Sequence, residues 1–139
     1  METTRYLPMF GRILIGLPFL ISGFGKIATY AATTAYIASV GLPLAPLGWV
    51  IAVIFEVGGG VCLILGFRVR AVASALAVFV FATAIFFHRN FADQNQMINF
   101  LKNIMIIGGL LQIAYFGAGQ FSLDARKSRH YAITTGVTP

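Results

Sequence analysis

The sequence predicts an all-α integral membrane protein, a bundle of four transmembrane helices. The composition is the first reason: of 139 residues, 58% are hydrophobic and only 10% are charged, and the mean hydropathy is +0.85. A domain that faces water usually carries about 25% charged residues. The second reason is that the apolar residues form four continuous runs, each near the ~20 residues that a ~30 Å hydrocarbon layer requires. The runs lack the alternation typical of membrane barrel strands, which excludes that class.

The four runs and their connections make up one domain, residues 1–126, because the chain is too short for a second. A polar, basic tail at 127–139 has no apolar period and is predicted to be flexible. A cleavable signal peptide does not fit, since the first run is too long and contains Arg12 and Lys26. The predicted spans are residues 7–27, 47–66, 71–87 and 100–116.

Between the first two runs, a short helix is predicted to lie in the outer membrane interface. Tyr30, Thr33, Tyr36 and Ile37 recur at helical spacing, and Gly41-Leu42-Pro43 then breaks the pattern. Tyrosine is a residue type typical of the headgroup level.

The basic residues predict the orientation. The formal net charge is +6, and Arg68 and Arg70 occupy the turn between the second and third runs, while residues 28–46 contain no Lys or Arg. Positively charged loops stay in the cytoplasm, so both termini are predicted to be cytoplasmic. Because the cations lie at the ends of apolar runs, they indicate lipid contact and do not favour a nucleic-acid partner.

Charged groups within the apolar runs are the candidate functional residues. A charge at the centre of a membrane helix costs about 2.5–3.5 kcal/mol, so it is kept only where it faces protein or water. In the first run Arg12, Gly16, Phe19, Gly23 and Lys26 recur at spacings of four, three, four and three. This spacing places all five on one stripe of the helix.

Glu56 lies near the middle of the second run, about 15 Å deep at ~1.5 Å per residue. We expect Arg12 to be its charge partner. Two interpretations are open: a structural ion pair that fixes the register of two helices, or a carboxyl that exchanges protons in a ligand cavity.

A second set of polar residues is predicted to surround the outer mouth of the bundle. Such donors suit an anionic group or the carbonyl oxygen of a quinone; the alternative is a solvated cationic rim. The predicted ligand-binding residues are Lys26, His88, Asn99, Lys102 and Asn103.

The sequence contains no pattern for a resident redox group. His88 has no second histidine at matching depth to hold a haem, and Cys62 is the only cysteine, so no dithiol pair exists. No metal-binding cluster or dinucleotide fingerprint is present. The cofactor is therefore unknown, with a quinone as the candidate, and any electrons would pass through a diffusible ligand or a partner subunit.

The chain resembles the DoxX family of small four-helix bacterial membrane proteins, and its YqjF-like branch especially. The order and spacing of the matching segments carry the resemblance, which extends to about residue 126. The segments are Gly11-Arg12, Gly23-Phe24-Gly25-Lys26-Ile27, Gly41-Leu42-Pro43, Glu56 before Gly58-Gly59-Gly60, Gly66-Phe67-Arg68, Phe87-His88, Asn90-Phe91-Ala92, Phe100-Leu101-Lys102-Asn103, Gly108-Gly109 and Ser122-Leu123-Asp124.

The resemblance implies the fold, an inner-membrane location and a link to redox systems, since named members of the family look like membrane subunits of thiosulfate:quinone and thiol-redox complexes. The leading hypothesis is an oxidoreductase subunit without a redox centre of its own, which binds a quinone-type ligand. Glu56 would exchange protons, Arg12 would set its charge state, and His88, Lys102 and Asn103 would hold polar oxygens.

Two other functions stay open. A small-molecule or proton-coupled transporter would use Glu56 and the cationic mouth as stations on a path, and a structural or assembly protein would use the charges only to fix helix packing. The partners expected are the bilayer and a soluble or membrane redox protein, and the glycine-rich faces also suit contact with a second copy.

Overall fold

The computed structural model describes residues 3–135, and within them it contains helices and no strand. The described part of the chain begins with a 3-10 turn, Thr3–Tyr6, and one π-helical turn, Ile54–Gly58, joins α3 to α4. The α-helices are α1 (Leu7–Ala28), α2 (Tyr30–Ser39), α3 (Ala45–Val53), α4 (Gly59–Leu65), α5 (Val69–Phe87), α6 (Gln94–Phe116) and α7 (Leu123–Thr135).

Four helical segments in the described part of the chain are long and apolar enough to cross a membrane, which confirms the predicted fold class. They are Thr4–Ala28, Ala45–Leu65, Val69–Phe87 and Gln94–Phe116, with 25, 21, 19 and 23 residues. The bundle has an end with Arg12 and Gly66, here called the inner half after the predicted orientation, and an end with Lys26 and Trp49, called the outer half. The orientation itself stays a prediction.

The fourth span begins six residues before its predicted start. Asp93 precedes the helix, and its carboxylate accepts hydrogen bonds from the backbone N–H groups of Asn95 (2.8 Å) and Gln96 (3.2 Å). This is an N-cap, which satisfies donors that the helix itself leaves unpaired. Hydropathy does not detect this start because the first turn is polar.

A helix does follow the first span, at Tyr30–Ser39. Its location in the membrane interface stays a prediction. The sole tryptophan, Trp49, donates from its indole N–H to the backbone carbonyl of Lys26 at 2.8 Å, and its ring meets that of Tyr30 edge to face. These contacts attach the start of the second span to the end of the first.

The inner half of the bundle is filled. Leu63, Leu76 and Leu110 are buried to 1% exposure or less, and α1 lies so close to α4 that a Cβ atom on Gly16 would be 3.0 Å from the backbone oxygen of Gly60. Small residues of this kind allow the backbones of membrane helices to approach each other closely. The stripe predicted on the first span is indeed its buried face, with Arg12, Gly16, Phe19 and Gly23 as its buried residues.

The segment after residue 126 is helical as far as Thr135, and residues 136–139 lie outside the described residues. The predicted flexibility of this tail stays a prediction. Ser122 begins the helix, because its hydroxyl accepts from the N–H of Ala125 at 3.1 Å. Beyond its first turn the helix has no face against the bundle, since the residues from Arg126 onward are almost entirely exposed. This is why it has no apolar period.

Candidate functional site

Lys26 and Glu56 form an ion pair in the outer half of the bundle. The Lys26 Nζ atom lies 2.8 Å from Oε1 and 2.9 Å from Oε2 of Glu56, and also donates to the Ser22 hydroxyl at 2.8 Å. The Glu56 side chain is 9% exposed and that of Lys26 is 28% exposed. The carboxylate is therefore almost buried, while its cationic partner is reached from outside.

The backbone around the pair explains why these two residues meet. A Cβ atom on Gly23 would lie 2.6 Å from a methyl group of Val57 and 3.2 Å from the Cβ atom of Glu56. Only a glycine lets α1 approach the second span this closely, and Lys26 then lies about one turn further along α1. Glu56 is the central residue of the π turn, a feature that is frequent at functional sites in helices.

The prediction that Arg12 is the charge partner of Glu56 is wrong. Arg12 is fully buried and donates to the carbonyl oxygens of Leu63 (2.8 Å), Ile64 (3.1 Å) and Phe121 (2.6 Å). Leu63 is seven residues beyond Glu56, about 10 Å along the helix axis, so Arg12 lies at another depth. The last carbonyls of a helix lack N–H donors from a following turn. The Leu63 carbonyl accepts from the N–H of Gly66 at 3.2 Å, and the Arg12 guanidinium supplies the further donors at this end of α4.

The ion pair forms part of the wall of a cavity of about 560 Å³. This volume lies within the range of about 300–1,000 Å³ that is typical of small-molecule sites. Aliphatic and aromatic side chains from α2, α3 and α5 make up most of the lining, with Ile37, Ile51 and Phe86 among them. The other polar side chains in the wall are Ser22, Thr33, Tyr36, Thr83, His88 and Asn103.

A second, narrower space of about 300 Å³ lies between α1 and α6. Its outer walls are apolar and include Leu14, Pro18 and Ile106. It adjoins the main cavity, because both are lined by Ser22, Glu56, Phe79, Thr83 and Asn103. Glu56 therefore stands where a wide cavity and a lateral crevice meet.

The predicted ring of ligand-binding residues is only partly assembled at this cavity. Lys26, His88 and Asn103 line it, whereas Asn99 and Lys102 do not. Lys102 is exposed because neighbouring helical residues point about 100° apart, and Asn99 lies one turn further out than Asn103. His88 is held by a hydrogen bond between its Nδ1 atom and Oε1 of Gln96 (3.1 Å).

Three parts of the site were not predicted from the sequence. Ser22 could have been found, since it stands four residues before Lys26 on the same helical face. Thr83 lies within a long apolar run, where a single hydroxyl carries no pattern. The π turn has no sequence signal beyond the three glycines after Glu56, which are also typical of close helix packing.

Comparisons with known proteins agree with the residue pattern. The DoxX family model matches residues 7–89. Inner membrane protein YqjF of Escherichia coli K12 is 40% identical over 115 residues, which cover 81% of this chain and 85% of that protein. Inner membrane protein YphA of the same strain is 36% identical over 140 residues, covering 91% of this chain and all of that protein. No solved structure matches.

Proposed function

The chain belongs to the DoxX family of membrane proteins, and from this premise we propose that it binds a quinone-type molecule in the cavity beside Glu56, as the membrane subunit of a redox system. The observation that carries the proposal is the Lys26–Glu56 pair in the wall of a largely apolar cavity. Charged residues within membrane spans are expensive and usually functional. A pair that only fixed packing would have no need of an adjacent cavity.

Each residue of the pair has a distinct role in this proposal. Reduction of a quinone carbonyl adds a proton at the oxygen, and oxidation of the quinol removes one, so a carboxyl at that oxygen acts as general acid or base. Glu56 would exchange this proton, and Lys26 would stabilise the carboxylate in place of Arg12. His88 and Asn103 would hydrogen-bond to the ligand oxygens.

The shape of the two spaces supports a ligand with a polar head and an apolar tail. The head would lie near Glu56 and Asn103, which belong to both linings. A long tail would lie in the crevice between α1 and α6, along Leu14 and Pro18. A quinone with an isoprenoid chain has this division.

The electrons would come from or go to a partner redox protein, since the sequence contains no dithiol pair. We further propose that both termini face the cytoplasm, because Arg68 and Arg70 lie in the turn at that end of the bundle. Because the cavity lies in the outer half, a partner that exchanges electrons with the ligand would dock at that end of the bundle, and the ligand would diffuse through the lipid.

Trp49 provides a direct test, because it is the sole tryptophan and its indole contacts Lys26. The full chain in nanodiscs would be titrated with a ubiquinone that carries a short isoprenoid chain, and quenching of the tryptophan fluorescence would be recorded. We expect saturable quenching in the native chain and at least tenfold weaker binding in Glu56→Gln, which removes the charge but keeps the shape.

Lys102→Gln is the matched control, because Lys102 is a neighbouring membrane cation that does not line the cavity. It should bind the quinone as the native chain does. Equal affinities for the native chain and Glu56→Gln would reject the proposed role of the carboxyl. The absence of saturable quenching in the native chain would reject quinone binding altogether.

The filled inner half is a reason to prefer binding over permeation. Leu63, Leu76 and Leu110 occupy the space below the cavity, so a substrate crossing the bundle would have to displace them. A proteoliposome flux assay separates the two functions: uptake that depends on Glu56 without any redox partner would favour transport.

A further inference from the structure

A third space lies at the opposite end of the bundle from the proposed ligand cavity. It has a volume of about 530 Å³ and is formed by the start of α5, the end of α6 and the first turns of α7. Arg68 and Arg70 line it together with Phe116, Gly117 and Ser128. We propose that this crevice binds the headgroup of an anionic phospholipid, a site independent of the proposed quinone cavity.

The turn that carries the first arginine is fixed by a double backbone contact with the C-terminal segment. The Asp124 carboxylate accepts from the N–H groups of Arg68 (2.7 Å) and Val69 (2.9 Å). The N–H of Asp124 in turn donates to the carbonyl of Gly66 at 3.0 Å. This clamp holds Arg68 in a left-handed conformation, with φ of +45°, at the mouth of the crevice.

The second arginine lies against the opposite wall. A Cβ atom on Gly117 would be 3.4 Å from the Nε atom of Arg70, so the guanidinium lies beside that glycine. Gly117 has a φ of +86°, a conformation that favours a residue without a side chain. The wall of the crevice beside Arg70 therefore carries no side chain at Gly117.

The charges in the crevice favour an anion. In the part of the chain that the structure describes, neither guanidinium forms an ion pair with a carboxylate. Asp124 is the opposing charge, but both of its oxygens already accept backbone N–H groups. Two arginine forks match the oxygen atoms of a phosphate group, with which they form charge-assisted, bidentate hydrogen bonds.

The position of the crevice favours a lipid over a soluble anion. It lies where the fourth span ends, at Phe116, and the third span begins, at Val69. The ends of membrane spans lie at the level of the phosphates in a bilayer. Phe116 and its neighbour Tyr115 are 73% and 75% exposed, and they continue the wall into the hydrocarbon region. A phospholipid would place its phosphate between the arginines and its acyl chains along these rings.

The test measures lipid affinity for the full chain in neutral detergent by native mass spectrometry. The ligands are dilauroyl phosphatidylglycerol, the phosphatidylcholine with the same chains, and inorganic phosphate. A basic residue near an anionic lipid surface is worth about 1 kcal/mol, or roughly fivefold in affinity. We expect Arg68→Gln with Arg70→Gln to weaken phosphatidylglycerol binding roughly 25-fold.

Arg126→Gln with Lys127→Gln is the matched control, because it removes the same charge from α7 outside the crevice. It should change the affinity less than about twofold at a salt concentration where the Debye length is about 8 Å. If the first double variant does not fold, Arg70→Gln alone leaves the clamped turn intact and should lose roughly fivefold.

Three results would overturn the proposal: equal losses in the two double variants, equal affinity for phosphatidylcholine, or full displacement of phosphatidylglycerol by inorganic phosphate. The last would indicate a site for a soluble anion. A loss of phosphatidylglycerol affinity in the Arg68/Arg70 variant that is absent in the Arg126/Lys127 variant would support the lipid site. This result does not depend on the outcome of the quinone titration.

Discussion

The two cations on the same stripe of α1, Arg12 and Lys26, differ in their burial and in their hydrogen-bond partners. Arg12, in the inner half, is fully buried and its guanidinium donates to three backbone carbonyls. Lys26, in the outer half, donates to one carboxylate and one hydroxyl and stays 28% exposed at its side chain. The first is enclosed by filled core, and the second lines a cavity.

Burial alone therefore does not identify a functional charge in a membrane bundle. Arg12 is the more buried of the two, yet its partners are fixed backbone atoms that cannot exchange protons with a ligand. Glu56 is an ionisable group in the wall of a cavity, where a ligand can contact it. What distinguishes the two regions is the chemistry of the partner and the presence of a cavity.

The largest expected effect on stability is at Arg12. Arg12→Met removes the guanidinium donor from the carbonyl oxygens of Ile64 and Phe121 and leaves that of Leu63 with the N–H of Gly66 alone. Each unsatisfied buried acceptor costs about 1–3 kcal/mol. We expect the free energy of unfolding to fall by roughly 3 kcal/mol or more, measured by Trp49 fluorescence in mixed micelles. Arg126→Met, at an exposed position, is the control. An equal change in the free energy of unfolding in the two variants would contradict the structural role of Arg12.

An intermediate effect is expected from filling the outer cavity. Ala82 lines it, and Ala82→Leu would occupy space without touching a charge. Quinone affinity should fall at least tenfold, about 1.4 kcal/mol, while the free energy of unfolding changes less. Ala75→Leu on the exposed face of the same helix should leave affinity unchanged. Undiminished binding in Ala82→Leu would mean that the ligand lies elsewhere.

The smallest effect on stability is expected where both members of the outer pair are replaced. Apolar residues of similar volume often substitute for a buried ion pair with little change in stability. Lys26→Met with Glu56→Leu should therefore alter the free energy of unfolding by less than about 1 kcal/mol, yet abolish quinone quenching. A loss as large as that of Arg12→Met would assign the outer pair a structural role too and erase the contrast.

The fold was predictable from the sequence because a bilayer imposes strong constraints on length and hydropathy. The stripe on α1 was predictable for the same reason, since charge and glycine at helical spacing must face protein. The pairing within that stripe was not. The prediction named Arg12 as the partner of Glu56, whereas Lys26 is the partner in the structure. Which of the two cations meets Glu56 depends on the axial offset of two packed helices, which residue types do not encode.

The polar ends of the spans were predicted less well than their centres. Asp93 begins α6 in a segment that hydropathy assigns to a loop, and the helix after Ser122 has no apolar face to reveal it. In the ring at the outer mouth, Asn103 and Lys102 are neighbours in sequence, but only Asn103 lines the cavity. The two side chains point about 100° apart around the helix, although they lie at nearly the same depth in the membrane.

The contact between Arg12 and the carbonyl of Phe121 also bears on how the chain is made. These residues are 109 positions apart, so a ribosome has produced almost the entire bundle before the arginine obtains its third acceptor. Until then the nascent first helix carries an incompletely solvated cation, which a translocon or chaperone would have to shelter. Biogenesis thus ends with the C-terminal segment sealing the first helix, and chains truncated before Phe121 should be substrates for membrane proteases.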